Sequence, residues 1–177
     1  SEDRMKYGIA SNLSIRENIA SIYLEDPRFK KGLFLNIKAL NRFVDQCIED
    51  FEIACTGGSS AVRFLSGGNI QKVIIAREFC SGANFILANQ PTRGIDIGTA
   101  DLIRRLLVRY TREKEYGSLL ISSDLNELME VSDRLLVMHD GQITAHLTDL
   151  KTLTVDELGE YMLGVRKMTS EEMGDLF

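Results

Sequence analysis

One stretch constrains this chain more than any other: Leu65-Ser66-Gly67-Gly68-Asn69, followed at once by Ile70-Gln71-Lys72-Val73-Ile74-Ile75-Ala76-Arg77. A hydroxyl residue, two glycines and a run of good helix formers describe a loop that bares backbone N–H groups and opens directly into a helix. Glycine lets the main chain approach a phosphate closely. Ser66 is placed to cap the helix or donate its hydroxyl, and the helix dipole favours negative charge at that end. Such a start binds anions. The same residues also begin helices that merely turn a corner, so the stretch alone leaves both readings open.

The surrounding pattern alternates helices and strands. Ser14 and Glu17 form a capping box, and Ile15, Ile19, Ile22 and Tyr23 recur at helical spacing, so a short helix is predicted from about Ile15 to Leu24. Asp26-Pro27 stops it, and Arg28 to Gly32 reads as a basic, exposed linker. A second helix is predicted from about Lys38 to Phe51, with Leu40, Phe43, Val44, Cys47 and Ile48 on one face. Thr56 to Ser60 reads as a flexible loop leading to the glycine stretch. Beyond it, Phe85 to Ala88 is a short apolar run expected to be a strand buried on both faces. A helix from about Gly98 to Glu115 follows, then a strand (Ser118 to Ile121), a helix (Leu125 to Val131) and another strand (Arg134 to Met138). Asp140-Gly141 then turns the chain into a hairpin ending near Leu147. Thr154 and Glu157 cap a last helix, and the tail beyond Arg166 is expected to fray. This order predicts an α/β fold with a mainly parallel sheet, a helical subdomain and a C-terminal β-hairpin.

Composition removes several classes of function. A net charge of −5 gives no electrostatic footprint for nucleic acid, which demands a basic face. No apolar run approaches the length of a membrane span, and Ser1-Glu2-Asp3-Arg4 is unlike a signal peptide. Three cysteines, Cys47, Cys55 and Cys80, form no metal-spacing motif and read as buried small apolar residues. His139 and His146 fall in the late hairpin and read as structural or exposed.

About twenty residues after the glycine stretch, the strand runs into Asn89-Gln90-Pro91-Thr92-Arg93-Gly94-Ile95-Asp96. Leu-Ser-Gly-Gly-Asn-x-Gln-Lys, a buried strand and then Pro-Thr-Arg-Gly-Ile-Asp resemble the nucleotide-binding subunit of an ATP-binding cassette transporter. The Arg-Gly-Ile-Asp spelling and Asn69 are similar to the sugar and nucleoside import branch. The resemblance extends from Glu2-Asp3-Arg4 and Leu13 to Asn18 through to about Gly164. It implies a truncated P-loop ATPase core, with residues 1–80 as helical subdomain and signature motif, 81–165 as part of the α/β core and 166–177 as a tail.

The resemblance also sets expectations for chemistry. Ser66, Gly67, Gly68 and Asn69 match the signature that covers ATP held by a second cassette, and Asp96 would lie at the cassette interface. Where the family has a magnesium-holding Asp and then a catalytic Glu, this chain has Asn89 and Gln90; where the family's switch histidine would sit, it has Ser123. Neither amide can neutralise magnesium or take a proton at neutral pH. No glycine in the chain is followed by lysine, so the phosphate loop Gly-x-x-x-x-Gly-Lys-Ser/Thr is missing from it. The resemblance therefore implies a piece of a second, degenerate cassette. It would be cytoplasmic, peripheral on the inner face of the membrane, partnered by another cassette and by membrane-spanning permease subunits, and active in ATP and Mg²⁺ chemistry only through that partner. Two rival readings are a non-catalytic structural module and a lobe of a DNA-repair ATPase. The intact Leu65 to Asn69 stretch argues against the first, and the lack of a sustained heptad or basic stripe argues against the second.

Overall fold

Ser14 and Glu17 cap each other reciprocally and start helix α1, Ile15–Ala20, whose Ile15 and Ile19 are fully buried. The helix ends four residues earlier than its apolar spacing suggests. Asp26 then caps a 3-10 turn, Pro27–Phe29, and the following segment is a hairpin, not a linker: β1 (Lys30–Lys31) pairs antiparallel with β2 (Phe34–Leu35) around Gly32, at φ +64°. Asn36 caps α2, Ile37–Asp50, which buries Leu40, Val44 and Cys47. Helix α3, Gly67–Phe79, is capped by Ser66 and buries Ile70, Val73, Ile75, Ala76 and Phe79.

The computed structural model describes residues 7–174. Glu2-Asp3-Arg4, part of the sequence resemblance, lies outside the described residues. The chain divides into two compact units, Ser1–Ile121 and Ser122–Phe177. The break falls inside the stretch 81–165, and the helices before residue 80 share one core with Ile86, Ile103 and Leu106 beyond it.

In the first unit, β3 (Phe85–Asn89) pairs in parallel with β4 (Gly117–Ile121), in register Leu87↔Leu119 and Asn89↔Ile121. Between them runs α4, Ile97–Lys114, capped by Asp96. Among the described residues, the parallel sheet of this unit is this one pair of strands. Its core joins Ile15, Ile19, Tyr23, Val44, Val62, Val73 and Phe79 to Ile86, Ile103, Leu106 and Leu107. The expectation that the Phe85 run is buried on both faces is corrected: Ile86 is buried, but Leu87 is 63% exposed and Phe85 56%. Leu119 and Ile121 are half-exposed on that same face, so packing covers only one side of the pair. The cysteine reading also changes. Cys47 is buried, whereas Cys55 and Cys80 are only partly so, and the Sγ atoms of Cys47 and Cys80 lie 3.5 Å apart.

In the second unit, α5 (Leu125–Val131) precedes β5 (Leu135–His139) and β6 (Gln142–Leu147), an antiparallel hairpin turned by Asp140 and Gly141, both at positive φ. Helix α6, Val155–Met162, lays Leu158 and Tyr161 on Leu135, Val137 and Ala145. Both histidines are structural: His139 Nδ1 bonds the Met162 carbonyl at 2.9 Å, and His146 Nδ1 the Met173 carbonyl at 2.8 Å. The segment expected to fray is ordered as far as it is described. Thr169 and Glu172 form a capping box for α7, Ser170–Met173, and the Met168 N–H donates to the Thr144 carbonyl at 2.9 Å.

Candidate functional site

The start of α3 is held from three sides. Ser66 Oγ accepts from the Asn69 N–H at 3.4 Å and from Asn69 Nδ2 at 2.9 Å, while Asn69 Oδ1 accepts from the Ala54 N–H at 2.9 Å. Asn69 thus clamps the cap to the segment after α2. Lys72 Nζ, one turn on, donates to the Glu52 carbonyl at 2.8 Å. On the other side stands the N-terminus of α4. A Cβ on Gly68 would lie 2.8 Å from Thr99 Oγ1 and 3.1 Å from Asp96 Oδ2. The two signature glycines therefore do different work: Gly67 is exposed, whereas Gly68 is buried against the α4 cap. The expectation of two bare glycines holds only for Gly67.

The run into the signature is fixed, not flexible as its glycines suggest. The N–H groups of Ile15 and Arg16 donate to the carbonyls of Ser60 and Gly58 at 2.9 and 2.8 Å, and those of Val62 and Arg63 to Leu13 and Ser11 at 3.0 and 2.9 Å. Gly58 is buried beneath the Arg16 guanidinium, where a Cβ would meet Nη2 at 3.1 Å. Arg16 also pairs with Asp45 at 2.8 Å, and buried Asn18 ties its amide to both backbone groups of Ala10. A 3-10 turn, Val62–Phe64, then delivers Leu65 and Ser66. A groove of about 790 Å³ opens beside the signature, lined in part by Thr56, Ser60, Phe64, Ser66 and Asn69. These supports left one legible trace in the sequence, the Asp96-x-x-Thr99 spacing of an N-cap; the clamps from Ala54, Arg16 and Asn18 left none.

Chemically, the start of a thirteen-residue helix with an exposed Ser66 and Gly67 is a surface that can meet an anion. None of the hydrogen bonds among the described residues uses the N–H of Gly67 or Gly68. Asp96 is close by, but its carboxylate is committed to α4: Oδ1 accepts from the Thr99 N–H at 2.9 Å and Oδ2 from Thr99 Oγ1 at 2.8 Å. These two bonds, the backbone one first, hold its pKa below the usual Asp value, with Lys72 adding a smaller pull.

Asn89 and Gln90 lie at the far end of the loop that Asp96 closes. Asn89 ends β3 on its exposed face. Gln90 sits at φ +52°, with its N–H donating to the Ile121 carbonyl at 2.8 Å and its own carbonyl accepting from Arg93. Ser123 belongs to the second unit, one residue before Asp124, whose carboxylate caps α5. The residues at the end of β3 do not fit a magnesium ion: both side chains are neutral amides, and no cluster of His, Cys, Asp and Glu among the described residues is arranged to hold a metal.

Among solved structures, the chain matches an ATP-binding cassette in a dimeric post-hydrolysis state bound to ADP and Pi, with a TM-score of 0.67 at 23% identity, over 82% of this chain and 60% of that one. The fold is that of an ATP-binding cassette. In sequence, the chain is 38% identical over 164 residues to the nucleoside import ATP-binding protein of Lactococcus lactis subsp. cremoris, over 92% of this chain and 32% of that protein. It is 36% identical over 154 residues to the glucose import ATP-binding protein of Haloferax volcanii, over 83% of this chain and 27% of the relative. Over most of its length the chain is similar to import ATP-binding proteins for sugars and nucleosides, which are its homologues. No family model matches it. The chain spans less than a third of the length of these curated relatives.

Proposed function

We propose that this chain is part of the ATP-binding subunit of an importer for sugars or nucleosides, and that it donates Ser66, Gly67 and Gly68 to an ATP site on a second cassette. The observation that carries the reading is the start of α3: an exposed hydroxyl and glycine at a helix N-terminus, locked in place by Asn69 and by the α4 cap, with backbone N–H groups not spent inside the chain. Phosphoryl transfer depends mostly on positioning and electrostatic stabilisation, so such a surface can act on a γ-phosphate without a base on its own chain. Asn69 serves as the clamp of that surface, and Asp96 shapes the cassette interface beside it.

The chain's own catalytic positions are silent in this proposal. Asn89, Gln90 and Ser123 supply neither a magnesium ligand, nor a base, nor an imidazole. ATP hydrolysis and the Mg²⁺ it needs then belong to the partner cassette, and permease subunits on the inner face of the membrane receive the resulting motion. No helix among the described residues is long and apolar enough to cross a membrane. Nucleosides and glucose are named for two relatives of similar identity, so sugars and nucleosides are both kept as the solute class.

The test is Gly67→Asp in the complete transporter. Acidic residues favour a helix N-terminus, so the fold is retained, while a carboxylate now stands where the partner's γ-phosphate would come. ATP turnover is expected to fall on the order of 10²-fold, as when an oxyanion-stabilising group is lost. Undiminished turnover would leave the chain as a structural module instead.

A further inference from the structure

Two sulfurs of the first unit lie together at the end of α3 opposite the signature. Cys80 is the C-cap of α3, and Cys47, in the last turn of α2, donates its S–H to Cys80 Sγ at 3.5 Å. Both carry thiols and not a disulfide, 33 residues apart in sequence. Bonded sulfurs stand about 2.05 Å apart, so about 1.5 Å remains to be closed, a gap small enough for side-chain rotation. The chain after Cys47 runs back along α3: Phe51 sets its ring against Phe79, the Glu52 carbonyl accepts from Lys72, and the Ala54 N–H donates to Asn69. Hydrogen bonds fasten this segment to α3 at the signature end, and the two thiols stand at the other.

The thiols differ in access. Cys47 is 2% exposed, whereas Cys80 is only partly buried and can be reached from solvent. The hydrogen bond to Cys80 and then burial push the Cys47 thiol above its ordinary range, so it stays protonated until its neighbour has reacted.

We infer that Cys47 and Cys80 form a peroxide-sensitive dithiol, whose oxidation to a disulfide staples α2 to the far end of the signature helix. In the first step the Cys80 sulfur attacks one oxygen of hydrogen peroxide and the O–O bond breaks. The other oxygen leaves as water with the Cys80 thiol proton, and Cys80 becomes a sulfenic acid. Cys47 Sγ then attacks Cys80 Sγ: the S–S bond forms, the S–O bond breaks, and the hydroxyl leaves as water with the Cys47 proton. The two electrons given up by the thiols reduce the peroxide to water. The new bond closes a loop that holds the whole signature, which removes chain entropy from the unfolded state. The inference does not rest on donation of the signature and survives its failure.

The test is oxidation of the reduced chain by hydrogen peroxide after removal of reductant. Digestion without reduction and mass spectrometry are expected to recover the Cys47 and Cys80 peptides joined, and thiol titration in denaturant to fall from three groups to one, Cys55. The melting temperature should rise by about 5 °C or more and return on addition of dithiothreitol. Cys55→Ser keeps both the link and the rise, and Cys80→Ser, at a partly exposed position, loses both. Cys47→Ala leaves Cys80 as a sulfenic acid that dimedone captures, a readout that does not depend on stability. A link made through Cys55, conversion of Cys80 to sulfinic acid with Cys47 still a thiol, or an oxidised chain that melts no higher than the reduced one overturns the inference.

Discussion

The start of α3 and the end of β3 carry the two halves of the proposed chemistry, and they are built differently. At α3, every supporting contact is in place: the Ser66 cap, the Asn69 clamp on Ala54, and Gly68 fitted against Thr99 and Asp96. At β3, the backbone is kept, with parallel pairing to β4 and Gln90 holding its positive φ through bonds to Ile121 and Arg93, but the side chains carry no charge. The backbone is ordered at both places, and at one of them the side chains are neutral amides. A surface that works through backbone N–H groups needs only geometry, whereas a metal ligand and a base need ionised side chains.

The largest structural difference between the two regions should appear on adding bulk. Gly68→Val puts a Cβ 2.8 Å from Thr99 Oγ1, and both helix caps must shift to admit it. A loss of about 2 kcal/mol is expected, the usual cost of overpacking a closed site. Asn89→Val, on an exposed strand face, should change stability by no more than about 0.5 kcal/mol. Urea denaturation of the chain followed by circular dichroism compares them directly. Equal losses would mean that the α3 start is no more closely packed than the strand end. Gly68 is consequently a poor probe of phosphate contact, because its substitution disturbs the fold as well, and the exposed Gly67 is the better one.

A smaller effect separates the regions by pH. Asp96 has its pKa lowered by the bonds from the Thr99 N–H and hydroxyl. A group whose folded pKa lies below its unfolded value contributes stability that is complete above the unfolded value, about 3.9 for Asp, and that is lost as pH falls through the folded one. Asp96→Ala should therefore lower the melting temperature at neutral pH, and its difference from the unmodified chain should shrink as pH drops below about 4. The capping glutamates Glu17, Glu157 and Glu172 are lowered in the same direction but are present in both proteins, so their contributions cancel. A difference independent of pH would show that Asp96 does not cap α4 as a carboxylate. Asn89 and Gln90 do not ionise, so changing them should leave the acid limb of the stability curve where it is.

The parts of the molecule legible in the sequence were those written in local patterns. Capping boxes at Ser14 and Thr154, the Ser66 cap before its two glycines, and the helical spacing of α2 and α4 placed the helices to within a few residues. The parallel pair followed from strand–helix–strand order. What stayed hidden depends on contacts distant in sequence. Nothing local in Thr56 to Ser60 signals that Arg16 covers Gly58 and that α1 takes its carbonyls. The open face of Phe85 and Leu87 is likewise invisible in an apolar run, which reads the same whether one side or both are covered. The hairpin at Lys30 to Leu35 escaped because two-residue strands have no measurable alternation.

The smallest expected effect is also the one that most sharply separates geometry from charge. Asn89→Asp with Gln90→Glu would return a magnesium ligand and a carboxylate to the end of β3, and a well-placed general base alone is commonly worth roughly 10²–10⁴-fold in rate. In this chain no gain in ATP turnover is expected. No glycine in it is followed by lysine, so the chain offers no phosphate cradle to set a γ-phosphate against the new carboxylate. On the proposed reading the gain in a complete subunit that supplies such a cradle should still be slight, because Ser123 offers no imidazole. The backbone is ready for the exchange: Gln90 already holds its turn through main-chain bonds that Glu would keep. Turnover of the double variant, measured in the chain alone and in the complete subunit, therefore reads charge against a fixed geometry. A large rise in the chain alone would show that nucleotide reaches the end of β3 without a phosphate loop, and would move the catalytic reading from the partner cassette to this one.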